Sequence, residues 1–219
     1  MINSPGFFCG CNTDYFRTWG QVFGLSARVH APWAHIHFHV FDGTAQDIQW
    51  AQSRGFSVTV EPTPDNYNQN IDQRRAYWSN MRWVRATEVF DSATPVVSID
   101  ADSIMVRDLS QDQFLQDLET SWVPTAPKRE QLSLASAVGY GLDLARFVFA
   151  DRMTEILRTS TLTWADDQRL LDNMIAENLI RTIDLQYTDF KLRDSSYIWT
   201  GKGDRKFKVK FNEMLNRFR

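Results

Sequence analysis

Residues 94–106 read TPVVSIDADSIMV, and this stretch is the most informative part of the chain. A short run rich in Val and Ile ends at Asp100 and Asp102, and a second apolar run follows. Apolar runs of this length predict a buried strand of an α/β sheet. Ligands of open α/β sheets bind beyond the carboxyl ends of the strands. The two aspartates are therefore expected where a ligand would bind.

The same two carboxylates predict a metal site. Like charges one residue apart repel each other unless a cation neutralises them. Oxygen ligands suit a hard divalent ion such as Mg²⁺ or Mn²⁺, with phosphates in the remaining positions. Asp100 and Asp102 are thus the candidate metal ligands.

Composition limits the class of protein. The chain has 219 residues and a net charge of −3, so it can bury a large core and is not expected to be a general nucleic-acid binder. No apolar run approaches the ~18 residues of a membrane span, and the first residues lack a signal-peptide pattern. Only Cys9 and Cys11 are present, which favours a reducing, cytoplasmic location over a disulfide framework.

Strand and helix patterns alternate through the first half of the chain. This alternation predicts right-handed βαβ units, a mainly parallel sheet and one α/β domain over residues 1–219. The predicted strands cover residues 5–11, 33–42, 56–61, the run before Asp100, and residues 121–126, 134–142 and 181–185. The predicted helices cover residues 45–54, 71–90, 143–158, 165–178 and a first helix to residue 29, capped by Thr13 or Asp14.

A second acidic feature, WADDQ at residues 164–168, lies at a predicted helix start. Asp in the first helical turn satisfies free N–H groups and complements the helix dipole, so capping alone explains it. Combined with the metal pair, Asp166, Asp167 and Gln168 instead supply polar groups for a reacting centre. Both interpretations remain open from the sequence.

The segment TGKGDRK at residues 200–206 is a candidate phosphate site. Its glycines allow a close backbone approach, and Lys202 and Lys206 supply positive charge. The segment does not match the P-loop pattern, and a solvated basic turn is the alternative. From Thr200 onward, seven Lys or Arg face two acids, a net charge of +5. This excess favours an anionic ligand, or peripheral contact with an anionic membrane surface.

Three histidines alternate at His35, His37 and His39, so a strand would place them on one face. Such a pattern can bind zinc, but further ligands are needed. Packing and hydrogen bonding on a half-buried strand is the favoured interpretation.

These motifs, in this order, resemble the GT-A glycosyltransferases, most closely the family-8-like enzymes of the glycogenin and galactosyltransferase type. The resemblance runs over most of the chain. The matching elements are CNTDYF at residues 11–16, the helix with Arg74, Tyr77 and Arg82, the DxD motif at Asp100 and Asp102, Asp167-Gln168, and Thr200-x-x-Gly203-x-x-Lys206.

The resemblance implies a GT-A fold and the transfer of a sugar from a nucleotide-diphosphate donor, expected to be a UDP-sugar, to a carbohydrate or other hydroxyl acceptor, with retention at the anomeric carbon. Residues 1–108 would bind the nucleotide, and residues 109–219 would shape the acceptor and sugar side. Asp100 and Asp102 would bind Mn²⁺ (or Mg²⁺). The implied donor-binding residues are Thr13, Asp14, Tyr15, Arg82, Lys202 and Lys206, and the implied catalytic residues are Asp166, Asp167 and Gln168.

The chain departs from the family pattern at one position. The family histidine that completes the metal site is Thr200 here, or Ile198 in the alternative register. The metal is then expected to be held by two carboxylates, water and phosphates. Two alternatives stay open: a nucleotide-sugar-binding or scaffold protein without catalysis, and a HAD-type phosphatase with Asp100 as nucleophile.

Overall fold

Strands and helices alternate along the chain in the computed structural model, which describes residues 1–124, 135–159, 161–201 and 203–219. In these parts the strands are β1 (Gly6–Asn12), β2 (His35–Phe41), β3 (Ser57–Glu61), β4 (Val96–Ile99), β5 (Ser103–Met105), β6 (Trp122–Pro124), β7 (Ala137–Tyr140), β8 (Arg181–Ile183) and β9 (Ile198–Thr200). The helices are α1 (Thr13–Tyr15), α2 (Gln21–His30), α3 (Ala45–Ser53), α4 (Ile71–Val89), α5 (Gln111–Asp117), α6 (Ala145–Thr159), α7 (Asp166–Ala176) and α8 (Val209–Asn216).

The central sheet has seven strands in the order β3-β2-β1-β4-β7-β6-β8. The four strands from β3 to β4 run parallel, β7 is antiparallel to both of its neighbours, and β8 is parallel to β6. The predicted α/β class with a mainly parallel sheet flanked by helices is confirmed. The predicted strands over residues 121–126 and 134–142 both extend into residues 125–134, which lie outside the described residues. Their described parts contain β6 and β7.

The central strands are apolar on both faces because helices cover both sides of the sheet. In β1, Phe7, Cys9 and Cys11 pack into one hydrophobic core, and Phe8 packs into the other. Both thiols are free and buried. In β4, Val97 joins the first of these cores.

Helix α4 leads from the rim of a cleft to the sheet. It begins after Asn70, whose side chain accepts hydrogen bonds from the backbone N–H groups of Asp72 and Gln73. The predicted helix over residues 71–90 begins at the same residue as α4 and ends one residue after it. Helix α4 has 19 residues, and four of them are arginines. Within the described residues, no helix combines the length and apolar character that crossing a bilayer requires.

The predicted cap of the first helix is wrong. The N-cap is Asn12, whose backbone is still extended from β1, and it makes no side-chain capping bond. The Thr13 hydroxyl instead donates to the backbone oxygen of Asp42 at 2.7 Å, at the end of β2. A π-helical turn at Phe16–Gly20 then separates α1 from α2. The predicted cap is wrong because β1 runs directly into α1, so Thr13 and Asp14 are already helical and the N-cap falls on the last strand residue, Asn12.

The C-terminal segment folds back onto the strand that follows the DxD motif. Strand β9 pairs antiparallel with β5, with Thr200 opposite Ser103. A 3-10 turn at Gly203–Phe207 and helix α8 follow, and α8 buries Phe211 and Leu215 in a core shared with Ile104 and other apolar residues. The basic segment is thereby held beside residues 100–102.

Candidate functional site

A cleft of about 920 Å³ opens at the carboxyl ends of β1 and β4. After β1 the chain adds β2 and β3 on one side and then returns to place β4 on the other, so the strand order reverses here. Such a switch point is where open α/β sheets bind ligands. The walls are formed by some of the residues in each of four segments, 10–15, 70–82, 100–102 and 162–168, together with Ala135, Gly203 and Lys206.

Arg82 joins two of the predicted carboxylates at the base of the cleft. Its Nη1 donates to Asp100, while its Nη2 donates to the Ala135 backbone oxygen at 2.8 Å and lies 3.5 Å from Asp167 Oδ2. The Arg82 side chain is only 9% exposed. Burial opposes its charge, but Asp100 and Asp167 together raise the pKa of Arg82 above its ordinary value. The guanidinium is therefore a fixed positive charge between two helices and the DxD turn.

Lys206 pairs with the second DxD carboxylate. Its Nζ lies 2.8 Å from Asp102 Oδ2 and donates to the Tyr15 hydroxyl at 2.9 Å. The ammonium also lies 4.5 Å from the centre of the Tyr15 ring and 5.3 Å from that of Trp19. Burial and the neighbouring Asp100 raise the pKa of Asp102, while Lys206 opposes the rise. The two DxD carboxylates thus each have an internal cation.

The three candidate residues of the WADDQ segment, Asp166, Asp167 and Gln168, have different surroundings. Asp167 is buried; its Oδ1 accepts from the Gln168 backbone N–H at 2.7 Å, and its Oδ2 lies 3.4 Å from the Trp83 indole nitrogen. Burial raises the pKa of Asp167 to about 6, although Arg82 opposes the rise. Asp167 and Gln168 line the cleft.

Asp166 makes local contacts at the start of α7. Its carboxylate accepts from the Thr163 backbone N–H at 2.7 Å, from the Thr163 hydroxyl at 2.8 Å and from Arg169 at 2.7 Å. These bonds tie the loop before α7 to its first turn, but the N-cap is Ala165 and no side-chain capping bond forms there. Asp166 is not among the residues that line the cleft.

The predicted donor-binding residues fall in three places. Asp14 and Tyr15 line the cleft on the side of β1. Thr13 supports this turn from behind through its bond to the end of β2. Lys202 lies outside the described residues.

Thr200, at the family histidine position, faces a buried hydroxyl cluster. Its Oγ1 lies 3.2 Å from Ser103 Oγ and 3.0 Å from Thr188 Oγ1, and Thr188 in turn contacts Ser136 at 2.8 Å. All four residues are buried. Ile198 belongs to a hydrophobic core. Neither Thr200 nor Ile198 therefore supplies a third metal ligand beside the two DxD carboxylates.

The donor set fits a divalent cation that takes most of its ligands from a bound phosphate and water. Asp100 and Asp102 supply two oxygen ligands on one turn, as Mg²⁺ or Mn²⁺ sites with substrate phosphates require. Among the described residues, no group of three His, Cys, Asp or Glu could hold a metal. A cation at this pair must also replace Lys206 at Asp102, so a metal without phosphate is expected to bind weakly.

The three histidines of β2 hydrogen-bond along β3. Ser57 contacts the rings of His35 and His37, both at 2.7 Å, and Thr59 contacts His37 at 2.9 Å and His39 at 2.7 Å. Burial, with smaller contributions from His39 and His35, lowers the pKa of His37 to about 3. The structure thus shows the packing and hydrogen bonding that the sequence favoured over a zinc site.

One wall of the cleft is not predicted by the sequence motifs. The first turns of α4 contribute Asp72, Arg75, Ala76 and Ser79, which stand on the same helical face as Arg82. Their spacing of three or four residues, counted back from Arg82, is the helical periodicity that would have found them.

Comparison with the sequence models of known protein families gives no match. No curated protein matches the chain either.

Proposed function

We propose that the protein is a glycosyltransferase of the GT-A fold that transfers a sugar from a nucleotide-diphosphate donor, a UDP-sugar, to a hydroxyl of an acceptor. One observation carries the proposal. Two carboxylates after β4 and two cations from distant parts of the chain, Arg82 and Lys206, converge in one cleft at the switch point of the sheet. The cleft volume, about 920 Å³, is that of a small-molecule site.

The charged residues of the cleft are proposed to bind the diphosphate of the donor in different ways. Asp100 and Asp102 would hold Mn²⁺ (or Mg²⁺) together with phosphate oxygens and water. A metal bound there supplies Lewis-acid stabilisation of the departing diphosphate. Lys206 adds a fixed positive charge toward the same leaving group once its pairing with Asp102 is exchanged for phosphate. Arg82 orients the Asp100 carboxylate through their hydrogen bond.

The remaining predicted residues are proposed to bind the nucleotide base and the donor sugar. Asp14 and Tyr15 form the wall near β1 and are proposed to hold the base, with Thr13 fixing their turn. Asp167 bonds the backbone of Gln168, whose side chain is proposed to face the donor sugar. Asp166 is proposed to orient this pair by tying the preceding loop to α7.

A thermal-shift panel of nucleotides, with and without Mn²⁺, tests the proposal. We expect UDP or GDP to raise the melting temperature only when Mn²⁺ is present, and Asp102→Ala to abolish the effect. Asp112→Ala, which removes an exposed carboxylate in α5 outside the cleft, is the matched control and should respond like the wild type. Indifference of the wild type to every nucleotide would refute the proposal.

A second candidate is a protein that binds a nucleotide-sugar without transferring the sugar. The commitment of Thr200 to a buried hydroxyl cluster favours it, because the metal site then lacks a third side-chain ligand. Incubation with a panel of nucleotide-sugars and acceptors separates the two. Transfer or donor hydrolysis supports the enzyme, and ¹H NMR of the product reports whether the anomeric configuration is retained. Metal-dependent UDP binding without turnover of any donor supports the second candidate.

A further inference from the structure

The cleft continues well beyond its charged base. One wall is the face of α4 that leads from Arg82 back to Asp72, and the other is the segment over residues 162–168. A helix rises about 1.5 Å per residue, so Asp72 lies about 15 Å along α4 from Arg82. This region, bounded by Asp72, Gln73, Arg75, Ser79, Leu162 and Trp164, is here named the outer arm.

Trp164 gives the outer arm an aromatic surface. Its side chain is 54% exposed although it lines a concave site. Tryptophan side chains are mostly buried in folded proteins. An exposed tryptophan inside a cleft is a common feature of ligand-binding sites. The negative face of an indole ring attracts the weakly positive C–H groups on one face of a neutral pyranose ring.

The opposite wall offers hydrogen bonds. The Gln73 side-chain oxygen is buried and has no hydrogen-bond partner among the described residues. A buried oxygen without a partner costs free energy that a ligand donor would recover. Ser79 donates its hydroxyl to the Ala76 backbone oxygen at 3.1 Å, which leaves the hydroxyl oxygen able to accept. Both side chains therefore suit the hydroxyl groups of a ligand.

The charges of the outer arm cancel. Asp72 and Arg75 lie 4.0 Å apart on adjacent helical turns, and both are exposed. At the base of the cleft, Arg82 and Lys206 stand among Asp100, Asp102 and Asp167, and the cation proposed at the DxD pair would add the positive charge that a phosphate group needs. A phosphate-bearing group is therefore expected at the base, and an uncharged polar group is expected in the outer arm.

We propose that the outer arm is the acceptor subsite and that it takes a neutral, pyranose-bearing molecule, with Trp164 as the stacking surface and Gln73 as a hydrogen-bond acceptor. The role of this subsite as the acceptor site rests on the proposed function. The binding of a neutral sugar ring to the outer arm does not depend on that function. The expected acceptor is therefore a glycoside or a glycan and not a charged or an aliphatic molecule.

Saturation-transfer difference NMR on the full chain tests the subsite. The probes are the methyl α- and β-glycosides of glucose, galactose and mannose, with maltose, lactose and cellobiose, each with and without UDP and Mn²⁺. We expect saturation of the ring protons of at least one probe. Trp164→Ala should weaken that binding roughly fivefold or more, while Trp164→Phe retains most of it. Gln73→Leu should weaken it by a smaller factor.

Leu144→Ala is the matched control, because it truncates an apolar side chain that is 73% exposed and lies outside the cleft. Its probe binding should equal that of the wild type, and UDP affinity in Trp164→Ala should stay within roughly twofold of the wild type. The absence of signal from every probe with the wild type, or equal signals from the wild type and Trp164→Ala, would overturn the subsite. Glycoside binding without any UDP binding would support the subsite and refute the proposed function.

Discussion

Replacing Lys206 with Met tests the internal ion pair at the site. Met keeps a long apolar side chain against the rings of Tyr15 and Trp19, so the main loss is the charge 2.8 Å from Asp102. The Lys206 and Asp102 side chains are 13% and 9% exposed, so solvent screens the pair weakly. Removing one partner of a buried pair costs about 3–5 kcal/mol.

The cost depends on pH because Asp102 can take up a proton. Burial already raises the pKa of Asp102 above 3.8, and loss of Lys206 raises it further. A carboxyl with a raised pKa in the folded state favours folding less as pH rises through that pKa. We therefore expect Lys206→Met to lower the free energy of unfolding by about 3 kcal/mol at pH 8, which is a fall in Tm of roughly 6–12 °C. The difference should shrink toward zero near pH 4.

Denaturant unfolding of the wild type and the variant between pH 4 and pH 8 measures this difference. Lys208→Met is the matched control, because it removes the same charge two residues later from an exposed position. Mn²⁺ without nucleotide should stabilise Lys206→Met more than the wild type, since the competing ammonium is gone. A loss that does not vary with pH, or a variant as stable as the wild type at pH 8, would refute the argument.

Three further variants test single features of the site and sheet. Because burial raises the pKa of Asp167 to about 6, the wild type should lose stability as pH rises through that pKa, and Asp167→Asn should lose about 2 kcal/mol less of its unfolding free energy than the wild type between pH 4 and pH 7, measured by denaturant titration. His37 has its pKa lowered to about 3, so it contributes stability that is lost as pH falls below 6.5. His37→Asn should accordingly lose about 3 kcal/mol less than the wild type between pH 7 and pH 4, and an equal acid loss in both proteins would contradict this. A Cβ on Gly10 would lie 2.5 Å from Arg82 Cβ, so Gly10→Ala should lower stability by about 1–3 kcal/mol and weaken UDP binding in calorimetry. Unchanged stability and UDP affinity would show that Arg82 can move without consequence.

The alternation of strand and helix was predictable because each element carries its own local signal. The strands of the parallel half are apolar runs bounded by polar residues, and α4 has an Asn cap and a continuous helical stretch. The placement of Asp100 at a strand end followed from the run before it. Local patterns of this kind therefore located one half of the site.

The contact between Lys206 and Asp102 was not predictable as an ion pair. It depends on β5 and β9, which are three residues each and too short to show a period of two. The sequence reasoning assigned no strand or helix to this part of the chain. Its fold comes from tertiary contacts, in which α8 packs Phe211 and Leu215 onto the core beside β5.

The position of Arg82 shows a similar limit. The resemblance placed it among donor-binding residues, but its pairing with Asp100 depends on how closely α4 approaches β1. That approach is possible because Gly10 has no side chain at the contact. A single glycine in a strand signals a close approach without naming the partner.

Calorimetric titration of UDP into the full chain, with Mn²⁺ present and then with EDTA, tests the central claim most directly. We expect binding of one UDP per chain in Mn²⁺, no measurable binding in EDTA, and loss of binding in both Asp102→Ala and Lys206→Met. Titration of GDP in parallel reports whether the base is uracil or guanine. The absence of heat from either nucleotide in Mn²⁺, or UDP affinity unchanged by both variants, would contradict the assignment of this cleft to a nucleotide-diphosphate donor.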